Sequence, residues 1–129
     1  MFDQAKRVFD EARERYAAAR SAGALWDAPA TYRSLTALVP SGIYEHFKSA
    51  EMAPKRYAVL GISFDVETMA PEIVYVPLYG AHHGVLMRRS LLDEADGFLA
   101  PVERPEYQGP RFRLVREAAL GELAVELEG

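Results

Sequence analysis

Two apolar runs flanking a short polar turn constrain this 129-residue chain more than any other feature. Tyr57-Ala58-Val59-Leu60-Gly61-Ile62-Ser63-Phe64 and Ile73-Val74-Tyr75-Val76-Pro77-Leu78-Tyr79 are rich in β-branched and aromatic residues, with Glu67-Thr68-Met69-Ala70-Pro71 between them. The pattern predicts an antiparallel hairpin. A turn centred on Met69 sets Phe64 opposite Val74, Ile62 opposite Val76 and Leu60 opposite Leu78. That register gives one wholly apolar face, expected to be buried. The other face carries Ser63 by Tyr75, Gly61 by Pro77 and Val59 by Tyr79, with Asp65 near the turn. Pro77 cannot donate to a ladder and suits an edge or a bulge. Tyr75 and Tyr79 join a flat apolar surface to a polar tip, which suits ligand contact as well as ordinary packing.

The rest of the chain builds outward from that hairpin. Phe2, Ala5, Phe9, Ala12, Tyr16 and Ala19 recur at steps of three and four, which predicts a helix over residues 2–22, started by Asp3 and stopped by Gly23. Its stripe of aromatics and alanines suits a flat partner, either the body of the domain or, in a homodimer, a second copy of the helix. Residues 24–42 contain Pro29, Pro40 and Gly42 and read as irregular, with a helical turn around 31–38. Trp26, the sole tryptophan, reads as a packing anchor between this arm and the body. Residues 43–48 predict a short strand with Tyr44 and His46 on one face and Ile43 and Phe47 on the other. Further strands are expected at 85–90, 102–103 and 111–115, with a helical turn in 90–98. The tail, 116–128, mixes helix-favouring composition with strand-like alternation and is taken as helix. The organisation expected is a helical extension over 1–41, a β domain over 42–116 and an acidic tail over 117–129. The fold class expected is mainly β, α+β overall: a small, strongly bent antiparallel sheet or SH3-like barrel with an N-terminal helix.

Charge and composition exclude several classes. There is no cysteine, so disulfides, thiolate metal sites and a cysteine nucleophile are out. The start of the chain is not a secretory signal and no apolar run is long enough to span a membrane, so a cytoplasmic protein is expected. Net charge is −4, and residues 117–129 alone carry four glutamates and no base. The remaining body is close to neutral, which speaks against a general nucleic-acid binder while leaving room for local basic clusters.

The segment Gly42-Ile43-Tyr44-Glu45-His46-Phe47-Lys48 resembles the opening motif of a bacterial family known only as domain of unknown function 1653. Tyr57-x-Val59-Leu60-Gly61-Ile62, Glu67-Thr68, Val74-Tyr75, Leu78-Tyr79-Gly80, Arg88 and Pro110-Arg111-Phe112 continue the resemblance over about residues 42–115. It implies a small β-rich domain and no assigned activity. The chain departs from the family pattern in having Asp65-Val66 where His-Ser is usual, and Phe64 and Val76 where arginines are usual. Phe64 and Val76 share a face in the register above, which suggests that the helix of residues 2–22 covers them.

Chemistry-bearing residues fall into a few constellations. His46 with Glu67 would make an acid–base pair if the strands brought them together, giving a small enzyme for an anionic substrate. Thr68 reads as a turn-shaping residue. Arg88 and Arg89 alternate across their strand, so only one can face a groove; Arg88 and Arg111 would bind a carboxylate or phosphate. His82-His83 lie in a glycine-flanked loop without a third ligand. There is no phosphate loop, Ser-His-Asp pattern or metal-ligand spacing. The sequence therefore points to a binding or interaction module without a catalytic set, metal or cofactor. Its expected contact residues are Tyr44, His46, Glu67, Thr68, Tyr75, Tyr79, Arg88 and Arg111, and its expected partner is a small anionic ligand or a protein. A single-stranded nucleic-acid module using the tyrosines for stacking is the remaining alternative.

Overall fold

A computed structural model describes residues 2–21 and 28–128, with side chains described throughout except at residues 9, 12, 13, 15–21, 28 and 125–128. The chain divides into two compact units, Met1–Val39 and Pro40–Gly129. In the first, α1 (Phe2–Ser21) and α2 (Ala28–Leu38) pack on each other. Asp3 lies in the first turn of α1, where a carboxylate suits the helix dipole, and Lys6 pairs with Asp10 one turn on at 3.3 Å. α2 is longer than the turn expected from sequence, because Pro29 sits in its first turn, where a missing N–H costs nothing. Most of the expected α1 stripe (Phe9, Ala12, Tyr16 and Ala19) lies outside the described side chains, and Trp26 and Gly23 lie outside the described residues.

The second unit is built on an antiparallel sheet of five strands. They are β1 (Gly42–His46), β2 (Arg56–Phe64), β3 (Pro71–Pro77), β4 (Met87–Ser90) and β7 (Phe112–Glu117), in the order β4-β3-β2-β1-β7. β4 and β7 are both edges, so the sheet is open and does not close into the SH3-like barrel offered as one alternative. A separate two-stranded hairpin joins β5 (Pro101–Arg104) to β6 (Tyr107–Pro110). β6 contains Gly109 and Pro110, which make its sequence read as loop. A lone hairpin tolerates them because one side of each strand needs no ladder donor.

The hairpin at the centre exists, but its register differs from the one expected. Tyr57 pairs with Pro77, Ala58 with Val76 and Val59 with Tyr75; then, beyond a bulge, Gly61 pairs with Val74, Ile62 with Ile73 and Phe64 with Pro71. The turn is wider than a Met69-centred one. Asp65 Oδ1 accepts the backbone N–H groups of Glu67 and Thr68 at 2.9 and 3.0 Å, and Met69 takes a left-handed φ of 59°. Phe64 and Val76 consequently lie on opposite faces, because Pro71, the partner of Phe64, is five residues from Val76 on an unbroken strand. The shared apolar patch expected at those two positions does not exist, and with it goes the reason for laying the N-terminal helix there.

The two faces have different contents. One holds Ile43, Ala58, Ala118 and Leu123 in a buried aliphatic cluster, with Leu60 and Leu78 packed against it. Leu123 comes from α3 (Leu120–Glu128), so the tail is a helix and covers this face. Glu122 Oε1 accepts the N–H of Ala119, one arm of a capping box. The other face holds Tyr44, Tyr57, Val59, Ile62 and Ile73, with Phe98 edge-on to Tyr44 and stacked on Phe112.

β1 meets β7 so closely at Gly42 that a Cβ there would collide with the carbonyl oxygen of Arg116. Gly42→Ala is expected to lower the urea midpoint by about 1–3 kcal/mol equivalent through overpacking against backbone. Gly121→Ala, in open space on α3, is expected to raise it by about 0.5 kcal/mol. Equal effects of the two would contradict the register of β1 with β7.

Candidate functional site

The end of β1 sets the position of His46. The strand alternation puts its ring on the aromatic face, 5.3 Å from Phe112 and 4.5 Å from Phe47. The chain then turns, and the Lys48 N–H donates to His46 Nδ1 at 3.1 Å, so in the neutral ring Nε2 carries the proton. Burial, then the charges of Arg89, Lys48, Arg111 and Lys55, pull the His46 pKa from 6.5 down to about 4. Those four cations arrive from different elements. Arg89 is on β4, Arg111 just precedes β7, and Lys48 and Lys55 flank the loop between β1 and β2.

The two arginines are held by consecutive carbonyls. Arg89 Nε donates to Asp96 O at 2.7 Å, and Arg111 Nη2 donates to Ala95 O at 3.2 Å. The loop presents these carbonyls because the Asp93 carboxylate accepts the N–H groups of Ala95 and Asp96 while Asp93 O accepts the N–H of Gly97. Those two carboxylate bonds, Asp96 first, hold the Asp93 pKa below its usual value. Gly97 is required by space: a Cβ would lie 2.5 Å from Asp93 O. The expected helical turn in this segment is thus a single closed turn rather than a helix.

Aromatic rings orient the cations. Arg89 lies over Phe112 at 5.3 Å, Arg104 over Phe47 at 5.1 Å and Lys55 over Tyr79 at 5.0 Å. Phe47 itself stacks on Tyr107. Among the described residues the ion pairs join Lys6 to Asp10 and Glu45 to both Arg56 and Arg113; none involves Lys48, Lys55, Arg89, Arg104 or Arg111. Arg111 Nε is buried with no hydrogen-bond partner. Burial, then Arg89 and Arg104, weaken its hold on its proton, with Asp96 opposing.

Several sequence-derived site residues fall elsewhere. Tyr44 is 3% exposed, with its hydroxyl donating to Pro40 O at 2.8 Å, so it is core and not contact surface. Burial comes first in raising its pKa. Glu67 and Thr68 sit in the exposed β2–β3 turn, where Thr68 Oγ1 accepts the N–H of Ala70. His46 lies beside Lys55, before the opposite end of the nine-residue β2. At 3.3 Å per residue, that strand separates His46 from Glu67 by roughly 30 Å, so they form no acid–base pair. Arg88 pairs with Val74 on the face opposite the cluster; Arg89, paired with Ile73, is the arginine that faces it. Tyr75 packs edge-on to Tyr57, whose hydroxyl hydrogen-bonds Tyr79 Oη at 2.6 Å. His46 and Arg111 are therefore brought together, and Tyr79 is tied to them only through Lys55. Lys48, Lys55, Arg89 and Arg104 were not singled out, and only the period-two alternation of Arg88-Arg89 hinted at them. Among the described residues no group of three or more His, Asp or Glu side chains is placed to hold a metal, and no helix is long and apolar enough to cross a membrane.

An open five-stranded antiparallel sheet with one aliphatic and one basic, aromatic face defines the class of domain. The chain belongs to the family described as Protein of unknown function (DUF1653), whose model matches residues 42–114. A crystal structure of a DUF1653 protein from Bordetella bronchiseptica is similar, at 25% identity over 61% of this chain and 90% of that one, with a TM-score of 0.48. No functionally curated protein matches the sequence.

Because the His46 pKa is depressed in the folded state, the unfolded chain binds more protons between pH 6.5 and about 4. Stability is expected to fall as pH drops through that window. His46→Asn, which keeps an acceptor for the Lys48 N–H, is expected to flatten the slope in urea melts. An unchanged slope would contradict the burial and charge environment assigned to His46.

Proposed function

We propose that this domain is a binding module for a small oxyanion-bearing ligand, held between Arg89 and Arg111 beside His46. The observation that carries the reading is the pair of guanidinium groups anchored on Ala95 O and Asp96 O with, among the described residues, no carboxylate paired to either. Two like charges brought together repel, and an anion between them removes the penalty. Guanidinium groups fixed by carbonyls and ring faces keep remaining N–H donors in planar forks that match a carboxylate or phosphate. Lys48, Lys55 and Arg104 add attraction around them.

The single-stranded nucleic-acid alternative is less well supported. Phe47, Phe112 and Tyr79 each already carry one of the protein's own cations, where stacked bases would need open ring faces. The enzymatic alternative loses its acid–base pair with the separation of His46 from Glu67. A protein partner recognised through an acidic side chain uses the same chemistry as a small anion, and is proposed only through that chemistry.

Inorganic phosphate titrated into the protein at low ionic strength, followed by calorimetry, is expected to bind saturably and to raise the melting temperature. Arg89→Gln and Arg111→Gln are each expected to weaken binding about tenfold or more, the scale of one charge-assisted hydrogen bond. Arg88→Gln, on the opposite face, is expected to leave it unchanged. Binding that is absent, or that depends equally on Arg88, would contradict the proposal.

A further inference from the structure

Beside the cationic cluster lies a hollow of about 170 Å³, and His46 belongs to both. Its walls combine hydrogen-bonding groups with flat surfaces: Glu45, Ser49 and Arg113 on one hand, Phe47, Tyr107 and Pro110 on the other. Glu45 Oε1 and Oε2 accept from Arg113 at 2.8 Å and Arg56 at 3.1 Å, which fixes the carboxylate and leaves it further acceptor capacity. The volume is below the roughly 300 Å³ at which drug-sized ligand sites begin, so one small ring fills it. An apolar body would strip water from the remaining acceptor sites of Glu45 and donors of Arg113 without replacing those bonds. A hydroxyl-rich ring satisfies them and lays its C–H surface on Phe47 and Tyr107.

Resting on the oxyanion reading above, we infer that the ligand is a sugar phosphate: a phosphate monoester whose single sugar ring occupies the hollow lined by Glu45 and Phe47. A phosphate rather than a carboxylate suits the anion position because Arg89, Arg111, Lys48 and Lys55 all act on His46 and Arg104 acts on Arg111, with Asp96 the carboxylate whose charge is felt at Arg111. A monoester near neutral pH carries close to two negative charges and three terminal acceptor oxygens. The neutral His46 supplies an Nε2–H, a donor that adds no charge. Free sugar phosphates and the ribose phosphate of a mononucleotide share this chemistry.

Calorimetric titrations with acetate, inorganic phosphate, ribose 5-phosphate and adenosine 5′-monophosphate separate the parts of the inference. Ribose 5-phosphate is expected to bind about tenfold tighter than inorganic phosphate, the scale of one or two added hydrogen bonds, and acetate more weakly than either. Adenosine 5′-monophosphate binding as tightly as ribose 5-phosphate identifies the nucleotide as an acceptable source; weaker binding identifies the free sugar phosphate. Glu45→Ala is expected to abolish the preference for ribose 5-phosphate over inorganic phosphate. Arg113→Gln, which leaves the carboxylate in place, is expected to reduce it. Equal affinity for inorganic phosphate and both esters would overturn the sugar assignment while leaving the oxyanion site intact. Adenosine 5′-monophosphate binding tenfold tighter than ribose 5-phosphate would overturn it in favour of the base. Failure of every anion to bind would overturn the oxyanion reading itself.

Discussion

The bulge at Leu60 and Gly61 decides what each face of the sheet contains. In an unbroken strand Tyr57 and Ile62, five residues apart, would point to opposite sides. One extra residue in β2 puts both on the same face, with Val59 between them, while Ala58 and Leu60 go to the face that α3 covers. The first face thereby becomes continuous from Phe64 and Ile62 to Tyr57, and the aromatic contacts of Tyr57 with Tyr75, Tyr79 and Phe112 follow. Phe112 in turn is the ring on which Arg89 rests. The cationic cluster is thus downstream of one irregular residue in β2.

Around that face, local chemistry does the positioning. The Asp93 turn aims two carbonyls at two arginines, and His46, oriented by the Lys48 N–H, is kept neutral by burial and then by the charges around it. None of these contacts is strong alone, since exposed polar contacts contribute little individually. Together they fix the orientation of groups that would otherwise be long, flexible side chains.

The sequence carried the existence of the hairpin, α1, the β1 alternation of Tyr44 with His46 and the family membership, because each depends on short-range periodicity or on ordered motifs. It did not carry the bulge, since Leu60-Gly61 is unremarkable in a strand and the extra residue shows only in the partner's register. From that follow the misplaced register and the false Phe64–Val76 patch. Arg88 and Arg89 cannot be told apart from sequence, because alternation says that one of the two faces the groove without saying which. The net charge of the body hid the cluster: nine bases and ten acids over residues 43–116 sum to nearly zero, while folding brings Lys48, Lys55, Arg89 and Arg111 to bear on His46 and Arg104 on Arg111. The β5–β6 hairpin was obscured by Gly109 and Pro110, whose loop-like composition a short lone hairpin accepts.

The central claim is that Arg89 and Arg111 form one oxyanion site. Side-chain Nε resonances of the arginines, followed by NMR while inorganic phosphate is added, test it at the atoms concerned. The expected result is a saturable shift at Arg89 and Arg111 with a common midpoint and no movement at Arg88. Shifts that grow linearly without saturation, or that appear equally at Arg88, would contradict it.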